Sequence, residues 1–390
     1  MEVKQIFTLI NSVSSEVLGK TDIVTEDLTG VVDLGAEVFN QGAVDNYVKS
    51  LVNHIGKVIF VNRPYAGKIP SVLMDAWEFG SVLEKISADV PQATENDTWN
   101  LTDGKEYKQD IFHKPVVSAK FFNSKVTFEV PVSITERQVK ESFSSAEQLN
   151  GFLSMIYSAV EKSMTIKTDA LIMRTINNMI GETLFADAAA FTTAKAANYG
   201  SASTVRCVNL LHLYNKAKGT TLTADKCLTD GDFIRFASYQ MGLYADRLQS
   251  ISTLFNVGGK ERFTPKDSLH TVLLSDFAKG AQSYLYADTY NKEQVLLPNA
   301  ETVASWQGTG TDYDFTHTSA INIKTSGNHD INISGVLGVM FDRDALGVCN
   351  LDKRVTTNYN AKAEFFNNYY KFDAGYFNDT NENFVVFFVA

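Results

Sequence analysis

The sequence predicts an α+β fold built on one long helix, and three observations carry that prediction. Apolar residues recur at helical spacing without interruption over some 35 residues, from Ser145 to Ile180. Before that run lies an extended stretch, Val82 to Pro131, whose apolar residues alternate instead. After it, helix-like and strand-like segments alternate from 206 to 339, and the chain closes in aromatic, Asn-rich strands.

The elements follow in chain order. Val3, Ile6, Phe7, Ile10, Val13, Val17 and Leu18 are spaced by threes and fours, which predicts an amphipathic helix over 2–18 stopped by Gly19. Val44, Tyr47, Val48, Leu51, Val52 and Ile55 predict a second over 40–55, with the linker Thr21 to Gly35 between them. The pair reads either as an arm that packs on something else or as a helical hairpin within the main core. Arg63-Pro64-Tyr65 and Ile69-Pro70 break regular structure. Val82, Glu84 and Ile86 open a strand, Pro91 to Lys105 is a polar tip, and Val116 to Pro131 returns. The result is a two-stranded excursion. Phe122, Val126 and Phe128 fall on one face and Phe121 on the other. A lone hairpin is marginal in water and needs a partner surface, so these four residues are the candidates for contact with another subunit.

Ser144-Ser145-Ala146-Glu147-Gln148 fits a capping box at the start of the long helix. At 1.5 Å per residue the helix would span roughly 50 Å, far beyond a mean helix of about 12 residues. Gly181 ends the run; the alternative is two helices broken near Lys167 to Asp169. Beyond a small-residue linker, Asp230 caps a helix over Phe233–Leu248, Leu269–Leu274 is a strand, and Ser275 opens a helix over Asp276–Tyr286. Val295–Leu297, Ala320–Ile323 and Gly335–Phe341 are further strands. Ala361–Phe377 and Phe384–Val389 are terminal strands too apolar to stand exposed.

Composition narrows the function. Hydrophobic content of 44% with 26 Phe and 16 Tyr supplies a core and buried interfaces. The net charge of −10 argues against tight nucleic-acid binding, yet suits a container that must not grip what it encloses. Cys207, Cys227 and Cys349 are odd in number and widely spaced, so neither a disulfide framework nor a metal pair is implied. His54, His113, His212, His270, His317 and His329 form no ligand spacing, and no nucleophile elbow or phosphate loop occurs. Asp342-Arg343-Asp344 is a tight carboxylate pair, read as a turn rather than an acid–base couple. The expectation is no catalytic residue, no cofactor and no metal. With no basic leader and no span of some 18 apolar residues, a soluble protein made inside the cell is expected.

Four stretches of wording join this order of elements. Trp77-Glu78-Phe79-Gly80 precedes the excursion, and Phe128-Glu129-Val130-Pro131 leads through a short helix, Thr135 to Phe143, into the long one. Leu273-Leu274-Ser275-Asp276-Phe277 sits at a strand-to-helix step. Gly338 to Gly347 precedes the Asn-rich strands and Asn381-Glu382-Asn383-Phe384-Val385-Val386-Phe387. Together they resemble the major capsid proteins of tailed bacteriophages, with the Hong Kong 97-type coat fold. The resemblance implies an N-terminal arm (1–81), an extended loop lying over the adjacent subunit (82–132), and a peripheral domain with the spine helix (133–205). It implies an axial domain (206–339) and return strands of the peripheral domain (340–390). It further implies a virion protein assembled in the host bacterial cytoplasm. Its partners would be copies of itself in hexamers and pentamers, scaffolding and portal proteins, and weakly contacted DNA, with no membrane. An encapsulin-like compartment shell and a cytosolic enzyme with a site built from scattered residues are the alternatives.

Overall fold

The structure, a computed structural model, describes residues 3–19, 24, 31–40, 46–47, 50, 72–74, 83–91, 93–108, 110–138, 146–187, 202–287, 297, 299–306, 320–324, 328 and 330–390. These divide into two units. The first takes 1–76, 125–172 and 348–375; the second takes 77–124, 173–347 and 376–390.

In the first unit the expected N-terminal helix is α1 (Val3–Leu18), and Gly19 ends it in the left-handed region at φ +66°. A second helix, α2 (Val31–Asn40), begins inside the stretch expected as linker. Its Leu34 and Val38 are buried, so the four-residue spacing marks a real packed face. Most of the expected 40–55 helix lies outside the described residues. The first helix is tied to its own chain. Asn11 Nδ2 donates to the Val24 carbonyl at 3.2 Å, and Ser50 Oγ donates to Glu16 Oε2 at 2.6 Å. Ser14 Oγ lies 3.5 Å from the hydroxyl of Tyr47, which burial pushes up to about 12. Ile10 and Val13 are fully buried beside these ties, which join α1 to residues 24, 47 and 50 of the same N-terminal segment.

The sheet of this unit has the order β1 (Leu73–Met74), β11, β12, β4. Here β4 (Lys125–Thr135) runs antiparallel to β12 (Phe365–Asn378), from Phe365 opposite Thr135 to Gly375 opposite Lys125. The strand β11 (Leu346–Asn360) lies on the other side of β12. This corrects the expected ribbon. Val116 to Pro131 is not one strand. It breaks at Asn123-Ser124, and only its first half belongs to a hairpin, β2 (Leu83–Ala88) with β3 (Val117–Phe122). Its second half finds a longer partner, because Val126, Phe128 and Val130 alternate in step with β12 and Phe128 meets the Phe372 ring at 5.0 Å.

The long helix is α3 (Ala146–Ala186), 41 residues without a break at Lys167–Asp169. The capping-box serines lie outside the described residues. Gly181 does not stop it. A Cβ there would stand 2.7 Å from Ile323 Cγ2, so the glycine serves close approach of the β8 (Ala320–Lys324) and β9 (Asp330–Ser334) hairpin. The helix continues to the buried Leu184.

The second unit is organised by a five-stranded sheet in the order β5 (Cys207–Asn209), β13 (Phe384–Phe388), β10 (Val336–Asp342), β6 (Leu269–Leu274), β7 (Ala300–Val303). The strand β10 is antiparallel to both neighbours, while β13–β5 and β6–β7 are parallel. Helices α4 (Leu210–Lys218), α5 (Gly231–Arg247) and α6 (Ser275–Ala287) contribute to its core, where Phe233, Ile234 and Met241 join Leu273, Met340, Val385 and Phe387. Asp230 caps α5 as expected, its side chain accepting from the Phe233 N–H at 2.9 Å. The stretch 340–390 contributes to both units. Residues 348–375 go to the first unit, whereas Phe384–Phe388 pairs on both sides inside the second, buried at every position. The expected strand at Val295–Leu297 falls almost wholly outside the described residues, and β7 follows it instead.

Candidate inter-subunit contact surface

The β2–β3 ribbon is turned inside out. Its register sets Glu84 opposite Phe121, Ile86 opposite Ala119 and Ala88 opposite Val117 on one face. That face is the exposed one: Ile86 is 65%, Val117 58% and Phe121 64% exposed. The covered face carries Leu83 opposite Phe122, Lys85 opposite Lys120 and Ser87 opposite Ser118. Apolar side chains outside and lysines inside reverse the ordinary arrangement of a half-buried ribbon.

Polar chemistry explains how the inner face is held. Lys85 Nζ reaches Asp379 Oδ2 at 2.9 Å, Glu382 Oε1 at 2.8 Å and the Asp344 carbonyl at 3.1 Å, which uses all three of its donors. Lys120 Nζ reaches the other oxygen of Asp379 at 2.8 Å. Arg262 Nε donates to Glu382 Oε1 at 3.3 Å. The Asp379 side chain is 2% exposed and that of Glu382 10%. Burial alone would push Lys85 down; the Glu382 hydrogen bond and the Asp379 charge outweigh it and raise the ammonium above its ordinary value. Burial would push the Asp379 carboxyl up; the Lys120 hydrogen bond and the Lys85 charge outweigh that and hold it below its ordinary value. Further along, Lys260 Nζ meets Asp89 Oδ2 at 3.0 Å, and the Asp89 N–H donates to the Val116 carbonyl at 2.9 Å.

The acidic partners come from the turn after β12. That turn is itself fixed: the Asn381 N–H donates to Asp379 Oδ1 at 3.0 Å, and the Gly258 N–H donates to the Thr380 carbonyl at 2.9 Å. Below it Asn383 Nδ2 donates to Thr264 Oγ1, which donates to Asp342 Oδ2 at 2.7 Å. Asp342 Oδ1 accepts from the Asp344 N–H at 2.9 Å, the geometry of a side-chain turn.

Beyond the ribbon, the loop 89–116 presents Trp99 at 93% and Phe112 at 86% exposure, with Leu101 and Ile111 also exposed. Four large apolar side chains exposed along one loop suit an interaction surface.

The four residues expected at a subunit contact separate. Phe121 lies on the outward face. Phe122 is half-buried and its ring meets Phe377 of its own chain at 5.0 Å. Val126 and Phe128 stand in β4, half-buried, within the first unit's sheet. Sequence reasoning missed the two lysines and the two carboxylates. It also missed Trp99, which stood in text read as a polar tip, and Phe112, between that tip and the returning strand. The three cysteines are buried and form no disulfide, and burial pushes the Cys227 thiol up to about 12. Among the described residues no cluster of His, Cys, Asp and Glu could hold a metal, and no helix is long and apolar enough to cross a membrane.

The model of the Phi29-like phage major capsid protein family matches residues 10–388. Among solved structures, the chain is similar to the capsid structure of Staphylococcus phage Andhra, with a TM-score of 0.50, 10% identity, and coverage of 84% of this chain and 86% of that one. It is also similar to the capsid structure of the cyanophage P-SCSP1u, with a TM-score of 0.45, 11% identity, and coverage of 85% and 92%. No curated protein matches the chain.

Proposed function

The chain belongs to the Phi29-like phage major capsid protein family, and from that premise we propose that it builds the head by laying the outward face of its β2–β3 ribbon on a neighbouring copy. It is a coat protein with a Hong Kong 97-type fold, a structural protein rather than an enzyme, and its shell is made of copies of itself. The observation that carries the ribbon reading is the inversion. Ile86, Val117 and Phe121 face water while lysines are held inside. Full burial of such a side chain stabilises by roughly 1.5–3 kcal/mol, and a shell repeats the same contact many times, so individually modest contacts sum.

The finer assignment follows from the same reading. Hexamers and pentamers close the shell, since a contact between two different patches forms rings when the rotation closes. The ribbon and loop 83–122 are the extended loop, and α3 is the spine of the peripheral domain. The sheet around β10 is the axial domain. The contact residues are Phe121 together with Ile86, Val117, Trp99 and Phe112; Phe122 packs on Phe377, and Val126 and Phe128 belong to the first unit's sheet. Scaffolding and portal proteins are partners during assembly in the host cytoplasm, and the acidic charge of −10 suits weak contact with packaged double-stranded DNA.

The test replaces Ile86 and Phe121 together by Ser in the full chain. Thermal unfolding of the unassembled subunit should be unchanged within about 0.5 kcal/mol, as for ordinary surface positions. Particle yield by sedimentation should collapse. Normal yield of closed shells would contradict the reading.

A further inference from the structure

An apolar ribbon face left in water needs a cause. The hydrophobic effect acts to turn Ile86, Val117 and Phe121 inward, and a one-residue slip between β2 and β3 would move side chains to the opposite face. Two features oppose this. Lys85 and Lys120 stand directly opposite each other, an arrangement that repels when no counter-charge is present. The Asp379 carboxylate bridges them, one oxygen to each ammonium, and Glu382 takes a second bond from Lys85. The carboxylates are nearly inaccessible while the lysines keep partial exposure, so water screens the pairs only in part.

Resting on the reading that the outward face meets a neighbouring copy, we infer that Lys85, Lys120, Asp379 and Glu382 are positioning residues for assembly. They hold the root of the ribbon lysine-side in, and thereby present its apolar side to the next subunit. None of the four needs to touch that subunit. Arg262 steadies Glu382, and the Lys260–Asp89 pair fixes where the ribbon passes into its loop. The grip is local: it lies on the first turns of pairing and on the 379–382 turn.

The experiment uses the full chain with Asp379→Asn, which keeps an acceptor for the Asn381 N–H but removes the charge shared by the lysines. Hydrogen exchange is followed by peptide on unassembled protein, and particle yield is measured on the same preparation. Exchange across 83–90 and 116–122 should rise roughly ten-fold or more, the scale of losing a charge-assisted hydrogen bond. Exchange in β6 and β10 should stay at the wild-type level, and yield should fall. Adding Lys85→Gln and Lys120→Gln to Asp379→Asn removes the repulsion and should restore part of both protection and yield. Unchanged ribbon exchange in the single variant would overturn the positioning role and leave the outward-face reading standing. Faster ribbon exchange with normal yield would overturn that reading, and the positioning role with it. An equal rise in β6 and β10 would make Asp379 a structural residue only, and absence of rescue would overturn the charge argument.

Discussion

Phe121 and Phe122 are neighbours in sequence and opposite in surroundings. Phe122 rests on Phe377, whereas Phe121 faces out of the ribbon. Phe122→Ser should therefore cost the subunit about 2 kcal/mol, the value of a partly buried aromatic with a ring partner. Denaturant unfolding of the unassembled chain measures this, and a loss below about 0.5 kcal/mol would contradict the packing described. Alternation in the sequence correctly set these two residues on different faces. It could not say which face is covered, because the covering residues, Phe377, Asp379 and Glu382, come from the far end of the chain. Acid tests the same cluster. Asp379 has a carboxyl held below its ordinary value, so its contribution is present above the unfolded value of about 3.9 and is lost as pH falls through the lower folded value. Lys85 is raised, so its contribution is present below about 10.4 and is lost only as pH rises past that into its higher folded range. Between about pH 5 and pH 2 the wild type should lose thermal stability more steeply than Asp379→Asn. Parallel curves would show that the carboxylate is not coupled to its lysines in the fold.

At the scale of elements, periodicity was legible wherever one face is buried by the chain itself. The spacing of α1, α3 and α5 is written in their apolar residues, and so is the unbroken apolar text of β10 and β13. Three kinds of element were harder to read. Helix α2 carries Val31, Leu34 and Val38 at helical spacing, but Asp33, Gly35 and Glu37 interleave with them and the stretch resembles a linker. The distal part of β11, Lys353 to Asn360, alternates half-buried and exposed polar residues and offers little apolar signal. Gly181 looks like a stop and is instead a point where a hairpin approaches the helix. Gly335 is the sharper case. It sits at φ +75° between β9 and β10, and a Cβ there would lie 2.1 Å from the Val389 carbonyl oxygen. The left-handed backbone costs about 1–2 kcal/mol for an ordinary residue, and the clash with backbone adds to it. Gly335→Ala should lower subunit stability by roughly 3 kcal/mol, read as a fall in Tm. A Tm within a degree of wild type would contradict that geometry.

At the scale of the whole molecule, both sheets are assembled from distant segments. The last strand lies between β5 and β10, and β4 lies against β12 rather than in the excursion. Local patterning names strands but not their partners, which is why the chain's excursion looked longer in sequence than it is. The order of elements nevertheless pointed to the right fold, because a shell subunit must keep some apolar surface unburied within itself. The β2–β3 ribbon supplies such a surface, with its lysine-bearing side gripped and Ile86, Val117 and Phe121 exposed on the other. Electron microscopy of particles assembled from the full chain tests this most directly, at a resolution that places side chains. Ile86, Val117 and Phe121 should be covered by a second copy, with Lys85 and Lys120 still on Asp379 of their own chain. Particles in which those three side chains face solvent, or in which the lysines leave Asp379, would contradict it.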